Sequence, residues 1–310
     1  MNNRTSTDIR TKDAWGKRIQ LTYTLVCEFL SALRIEVGTG ESELNILCLQ
    51  GISPRPELEG LMEVNQNIPD RYNDSVVLFW READSSGGDD RGSGVLRVLR
   101  GTTEPGRYYT TVKPHPKGAA HLVWGKHLYR RGKHRGKPAL VSATGMDRVW
   151  RDKDGDFGQD TSDKVYEGRF GIHVHAGGSS RSIGKWSAGC IAICGGYEGE
   201  SYSFFLERLN AHPGKVIGLT LWGSRDFIRW FQDKKGWRPT LRYGISNPWV
   251  ADVQRLLNRC PDERLVTDCD WGPATQKKFL EFQRENQLVV DGICGPFSWK
   301  RLERKKTNLC

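Results

Sequence analysis

The sequence predicts an α+β chain in two parts, a mainly β region followed by a small all-α domain of three helices. Three observations predict it. Short β-rich runs bounded by Gly, Pro, Asn or Asp fill most of the first two-thirds. Helical periodicity replaces them beyond Pro239. The chain also carries 35 glycines, which favours many turns over long helices. A length of 310 residues fits about two domains. The division expected is an N-terminal helical segment at 1–43, a β-rich domain at 44–236 and a three-helix domain at 237–310.

Trp15, Ile19, Tyr23, Val26, Phe29, Leu30 and Leu33 fall near helical spacing, so one helix is expected over 13–36, ended by Gly38 and Gly40. The runs NILCLQGI, SVVLFWRE, GVLRVLRG, GRYYTTV, HLVWGKHLYRR and PALVSATG follow as strands. RDKDGDFGQDTSD is an acidic turn. FGIHVHAG and CIAICGG are strands, ESYSFFLERLNAH is helical, and KVIGLTLWG closes the sheet region. Then PWVADVQRLLNRC, ATQKKFLEFQRENQ and PFSWKRLERK read as helices. Two similar turns separate them, with Asp268, Gly272 and Pro273 in one and Asp291, Gly295 and Pro296 in the other. Each turn ends in a hydroxyl residue that can cap the next helix.

The formal net charge is +10, and residues 105–146 hold nine Lys or Arg and no Asp or Glu. Such a stripe attracts polyanions: nucleic acid, an anionic membrane or an acidic wall polymer. No nucleic-acid motif or stacking platform accompanies it, so no nucleic-acid partner is expected. The opening residues contain no apolar h-region, so no classical signal peptide is expected. The run at 21–33 is interrupted by Thr22, Thr24 and Glu28, so no membrane span is expected. Eight scattered cysteines fit synthesis in a reducing compartment.

The chemistry concentrates in GIHVHAGGSSRSIGKWSAGC, residues 171–190. A cysteine nucleophile needs a base, an oxyanion hole and access. His173 and His175 lie two apart on a strand and face one way. His175 is the preferred base, and His173 either orients it or points into the core. Ser187, Ala188, Gly189 and Cys190 form a small-residue turn. The amides of Gly189 and Cys190, with Ala188, can meet an oxyanion, and Ser187 supports the turn. Trp186 lines a substrate groove or is a core tryptophan, and Arg181 and Lys185 pair with substrate carboxylates or belong to a flexible charged loop. His134 and Arg135, in KHRGKP, are expected to reach the groove from a neighbouring strand.

Other readings stand beside this one. Cys190 can be an inert buried thiol. His173, His175, Cys190 and Cys194 supply four zinc-type ligands, at a spacing that matches no finger. Asp152, Asp154 and Asp156 alternate as at the start of a calcium loop. Phe157 stands at the sixth position and Asp163 at the twelfth, so a solvated acidic turn is expected instead. No cofactor and no metal ion is expected.

The motif IHVHAGG…IGKWSAGCI resembles the catalytic motif of the L,D-transpeptidase family, a histidine followed by glycine and then Ser/Thr-x-Gly-Cys. Cys190 lies 15 residues after His175 and 17 after His173. RRGKHRGKPALVSA is similar to a phage and bacterial subgroup, and the resemblance spans residues 44–225. It implies a β-sandwich-like catalytic domain and cysteine acyl transfer on peptidoglycan stem peptides. Cys190 would attack the third residue's carbonyl, release D-Ala, and pass the acyl group to an amine or to water. The family has histidine where Ala188 stands and arginine where Ala192 stands. These departures favour cleavage over crosslinking.

LRYGISNPWVADVQRLLN, DCDWGPATQKKFLEFQ and DGICGPFSWKRL resemble the peptidoglycan-binding domain family over residues 240–304. Cys269 and Asp270 replace a glycine and an apolar residue in the first turn, and Cys294 replaces an aromatic in the second. The glycine loss is expected to strain the first turn. The resemblances together imply a peptidoglycan-cleaving cysteine enzyme of the L,D-carboxypeptidase or endopeptidase type, a phage or injection-system component. The alternatives are a crosslinking L,D-transpeptidase, or an inactive wall-binding part of a phage tail or contractile injection machine. Residues 1–43 would dock to such an assembly. The protein would be made in the cytoplasm and act at the periplasm or wall after delivery, including on a virion.

Overall fold

The structure, a computed structural model, describes residues 16–83, 93–259 and 264–304. Fourteen strands and six α-helices are found among the described residues. The sequence dictates the central ones. β2 (Asn45–Gln50) and β5 (Asp74–Glu82) are nearly continuous apolar runs, and almost every residue is buried. A strand buried on both faces needs a core on each side. Ile46, Cys48, Val76 and Leu78 point into one core; Leu47, Leu49, Val77 and Phe79 point into the other.

These strands belong to a closed eight-stranded barrel. The other members are β6 (Ser93–Thr102), β8 (Gly125–His134), β9 (Lys137–Ser142), β12 (Val174–Ala176), β13 (Ile191–Ile193) and β14 (Val216–Gly223). The order is β12-β13-β6-β5-β2-β14-β8-β9. The sandwich-like arrangement expected from the resemblance is thus corrected to a barrel. Pairing of Val174 with Leu140 joins β12 to β9 and removes the open edge. Within the barrel β12 and β13 pair in parallel, as do β14 and β2.

Two small sheets flank the barrel. One holds β1 (Arg18–Gln20), β4 (Leu61–Val64) and β3 (Ile52–Pro54). The other holds β11 (Lys164–Gly168), β10 (Asp147–Asp152) and β7 (Ala119–Leu122). α2 (Glu200–Ala211) packs Tyr202, Phe205 and Leu209 with the barrel-interior cluster. α1 (Tyr23–Ala32) and α3 (Ser224–Gln232) contribute Phe29 and Phe227 to the outer core; their rings meet edge to face at 5.1 Å.

Several expected elements change. The helix expected over 13–36 begins only at Tyr23; residues 1–15 lie outside the described residues. Thr22 caps it, its Oγ1 accepting the Leu25 amide at 3.2 Å, and Arg18–Gln20 instead pairs with β4. The strand expected in GRYYTTV is a π-helical turn, Tyr108–Val112. There the hydroxyls of Thr110 and Thr111 donate to the Arg107 carbonyl and compete with a ladder. The sequence also left β3, β4, β10, β11 and α3 unassigned. The basic stripe is only partly free: Arg131 donates to the carbonyls of Leu209, His212 and Gly214 around the end of α2.

α4 (Pro248–Leu257), α5 (Pro273–Glu285) and α6 (Pro296–Arg304) form the C-terminal domain. An internal repeat organises it. The Gln254 amide donates to Asp268 Oδ1 and the Asp270 carbonyl, and Gln283 does the same to Asp291 Oδ1 and the Ile293 carbonyl. Each glutamine oxygen also accepts a turn amide, from Asp268 in the first case and Gly292 in the second. Cys269 sits at φ +64°, the left-handed conformation a glycine would take without strain. The domain rests on α1: Trp249 Nε1 donates to the Ala32 carbonyl at 2.8 Å and Asn247 Nδ2 to that of Leu33 at 2.9 Å. No helix among the described residues is long and apolar enough to cross a membrane.

Candidate active site around Cys190

The parallel pair β12–β13 sets the site, with His175 opposite Ala192 and Cys190 immediately before β13. The 187–190 turn is held by one hydroxyl. Ser187 Oγ donates to the Cys190 carbonyl at 2.7 Å and accepts the Gly189 amide at 3.1 Å. Gly189 takes φ +132°, and a Cβ there would stand 2.4 Å from the Ala120 carbonyl oxygen. Only glycine fits this position. Its N–H, expected to meet an oxyanion, is engaged by Ser187. Among the described residues the amides of Ala188 and Cys190 have no partner, so they remain the available donors.

Cys190 is 8% exposed. Its Sγ donates to the Gly171 carbonyl and accepts the His173 amide, both at 3.5 Å. A ring nitrogen of His134, a ring nitrogen of His175 and Cys190 Sγ lie within 4.8 Å of one another. The His134 ring stacks on that of His175 at 4.2 Å and 3°, and His134 Nδ1 meets His173 Nδ1 at 2.9 Å. Both histidines of the motif therefore converge on His134, at the end of β8. His175 Nδ1 bonds the Ala176 carbonyl at 2.8 Å. A carbonyl only accepts, so Nδ1 carries the proton and Nε2 is the basic nitrogen. Nε2 is buried and has no hydrogen-bond partner among the described residues.

Burial pushes the Cys190 thiol up to about 11; the His173 amide opposes the shift, Asp147 adds to it, and Arg135 opposes it. Burial pushes His175 down to about 4, and the neighbouring His134, His173 and Arg135 push the same way. His134 and His173 are also lowered, chiefly by burial. At neutral pH the site is therefore a protonated thiol among neutral imidazoles, not a thiolate–imidazolium pair.

These residues do not fit a zinc ion. An imidazole lone pair lies in its ring plane, and two rings stacked within 3° cannot both aim at one ion. Cys194, in the four-ligand set considered from the sequence, packs instead with Tyr72, Ile183 and Ala192. Trp186 is 42% exposed and lies over Gly178, beside Tyr197 at 6.4 Å. Lys185 is exposed, its Nζ 4.6 Å from the Tyr108 ring. Arg181 is exposed and has no partner among the described residues. Arg135 sits exposed in the β8–β9 turn at φ +49°.

Three supporting residues were not found from the sequence. Asp147 Oδ2 accepts the Ile172 amide at 3.0 Å and so holds the segment against which the thiol rests. Tyr72 Oη accepts the Gly178 amide at 2.7 Å. Tyr197 lies 6.4 Å from the Trp186 ring and meets Tyr202 edge to face at 5.5 Å. Distance along the chain hides Asp147 and Tyr72. A separate groove of about 560 Å³ opens on the C-terminal domain, lined by Arg34, Arg238, Trp249, Arg255, Trp299 and Glu303 among others.

Comparison of the chain with curated proteins and with solved structures finds no match. Residues 246–302 match the family model described as "Putative peptidoglycan binding domain". The three-helix segment is therefore a peptidoglycan-binding domain, and peptidoglycan is the partner it supports.

Proposed function

We propose that the protein cleaves peptidoglycan stem peptides by cysteine acyl transfer, as its resemblance to the L,D-transpeptidase family implies. The observation that carries the proposal is the tautomer of His175. Its Nδ1 proton is fixed on a backbone carbonyl, which leaves Nε2 as a neutral base in the cluster that holds Cys190 Sγ. Nε2 takes the thiol proton as sulfur attacks the peptide carbonyl. The amides of Cys190 and Ala188 receive the oxyanion. The C–N bond then breaks, the amine leaves with the proton from His175, and a thioester remains. Water, deprotonated by the same nitrogen, attacks the thioester and releases a carboxylic acid and the thiol. The wall-binding domain raises the local substrate concentration.

Purified sacculi incubated with the intact protein and with Cys190→Ala test this, with products identified by mass spectrometry. Loss of terminal D-Ala or cut crosslinks, absent with the variant, is the expected result. New crosslinks would make an amine the acceptor in place of water. A second reading, an inactive wall-binding scaffold, is favoured by the burial and protonation of the thiol. It predicts that both proteins bind sacculi and that neither changes them.

A further inference from the structure

The loop joining β10 to β11, residues 152–163, reads DKDGDFGQDTSD and lies apart from the cysteine cluster. With Asp152 as position one, Asp154, Asp156, Asp160 and Asp163 fall at three, five, nine and twelve. A twelve-residue calcium loop draws its side-chain oxygens from these positions, with a backbone carbonyl at seven and glycine at six for the sharp turn. Phe157 stands at six, which argued from sequence against such a loop. Its backbone nevertheless takes φ +63°, the left-handed conformation that glycine provides.

Carboxylate oxygens of Asp152, Asp154 and Asp156 lie within 4.8 Å of one another. The turn is not wholly solvated, as the sequence suggested: Asp152 is 3% exposed and Asp163 4%. Backbone amides position both: Asp152 accepts from Gly155 at 2.7 Å and Phe157 at 3.2 Å, and Asp163 from Lys153 at 3.2 Å and Asp160 at 3.1 Å. Among the described residues no lysine or arginine pairs with any of the five.

An independent observation comes from β7. His121 is 1% exposed, and neither ring nitrogen has a hydrogen-bond partner among the described residues. Its Nε2 faces Asp152 Oδ2 at 3.8 Å, too far for a hydrogen bond. A buried polar ring left without a hydrogen bond is costly, while Asp152 itself is held by the amides of Gly155 and Phe157. Ligating carboxylates at metal sites are themselves positioned by groups around them.

We propose that residues 152–163 bind a calcium ion through Asp152, Asp154 and Asp156, with the buried His121 ring facing Asp152 from behind. An all-oxygen set on an irregular loop suits calcium over magnesium, which demands near-ideal octahedral geometry. The site is built into the frame of the cysteine turn. A Cβ on Gly118, just before β7, would lie 2.0 Å from the Asp152 carbonyl oxygen, and β7 also supplies the Ala120 carbonyl against Gly189. Gln159 Nε2 donates to the Tyr243 carbonyl at 2.8 Å and ties the loop to the C-terminal domain.

Calorimetric titration of calcium chloride into the full chain, stripped with EDTA and desalted, tests the proposal. Saturable binding with Kd on the order of 10⁻⁴ M is expected. Saturating calcium should raise Tm by roughly 5 °C. The double variant Asp154→Asn/Asp156→Asn changes two exposed side chains, so its metal-free Tm should match that of the parent. Its affinity should fall at least about tenfold. Absence of saturable binding by the parent chain up to about 10 mM calcium, or undiminished binding by the double variant, would overturn the proposal.

Discussion

Replacing His175 with alanine should leave the acidity of Cys190 nearly untouched while abolishing turnover. Burial places the thiol pKa at about 11 rather than 9.0 and that of His175 at about 4. At pH 7 the thiolate fraction is then about one in 10⁴, against about one in 10² for an unperturbed thiol. Alkylation of Cys190 by iodoacetamide should therefore run about 100-fold slower than at a free cysteine. Its logarithm should climb with unit slope toward pH 11. With its pKa near 4, His175 is essentially uncharged at pH 7, so His175→Ala removes no cation that holds a thiolate. The alkylation profile should stay within about threefold of the parent, while wall cleavage falls by about 10²–10⁴. Alkylation must be read on fragments by mass spectrometry, because half-buried Cys194 lies four residues away. A parent profile that levels off below pH 8, together with strong slowing in His175→Ala, would refute the neutral pair. That is the signature of a thiolate–imidazolium site.

Asp147→Asn keeps an oxygen for the Ile172 amide but removes a charge that raises the Cys190 pKa. Cys190 should alkylate faster at pH 8 in this variant, in the same assay. Gly189→Ala must move a Cβ out of a 2.4 Å approach to the Ala120 carbonyl from a backbone conformation unsuited to alanine. Urea unfolding should show a loss of about 2–3 kcal/mol. Cys269→Gly relieves a left-handed residue at φ +64°, worth about 1–2 kcal/mol, against the unfolded-state entropy of glycine. The net expectation is a gain of about 0.5–1 kcal/mol, read by the same method.

What the sequence revealed and what it hid follow from the range of the forces involved. NILCLQ and SVVLFW were legible as strands from their β-rich, apolar content, and the fold adds that both of their faces are covered. The same runs carry no information about how the sheet ends meet. Closure rests on Val174 against Leu140, thirty-four residues apart. The 13–36 periodicity ran through Thr22, whose side chain starts the helix there by a local bond that a spacing count ignores. The cysteine turn and both motif histidines were legible because they are close in sequence. The use of the Gly189 amide was not, since it depends on where the Ser187 hydroxyl turns. His134 was placed only by its motif context, yet it stacks directly on His175. Asp147 and Tyr72 gave no local signal at all, because each acts through a single long-range bond to a backbone amide.

The connection between the two halves constrains how their roles can be separated. Asp226 on α3 accepts the Trp222 indole, the Thr240 amide and the Thr240 hydroxyl, which pins the start of the C-terminal domain to the last barrel strand. Leu241 and Cys294 then exchange backbone hydrogen bonds, drawing the entering chain into the domain's second turn. The Arg34 guanidinium lies 3.9 Å over the Trp249 ring and pairs with Asp252 at 2.8 Å. Phe29, Phe227, Trp271 and Phe279 belong to one continuous apolar cluster. A wall-binding domain on a flexible linker sets effective concentration by linker length. Here the anchor is fused to the barrel through α1, so distance from anchor to Cys190 is fixed by the fold. Deleting the domain would strip cover from α1 as well as remove wall binding, and lost cleavage would report both. Substitutions at exposed side chains of the domain, such as Arg255 or Arg259, leave that shared core intact and so can probe the domain's surface without unfolding α1.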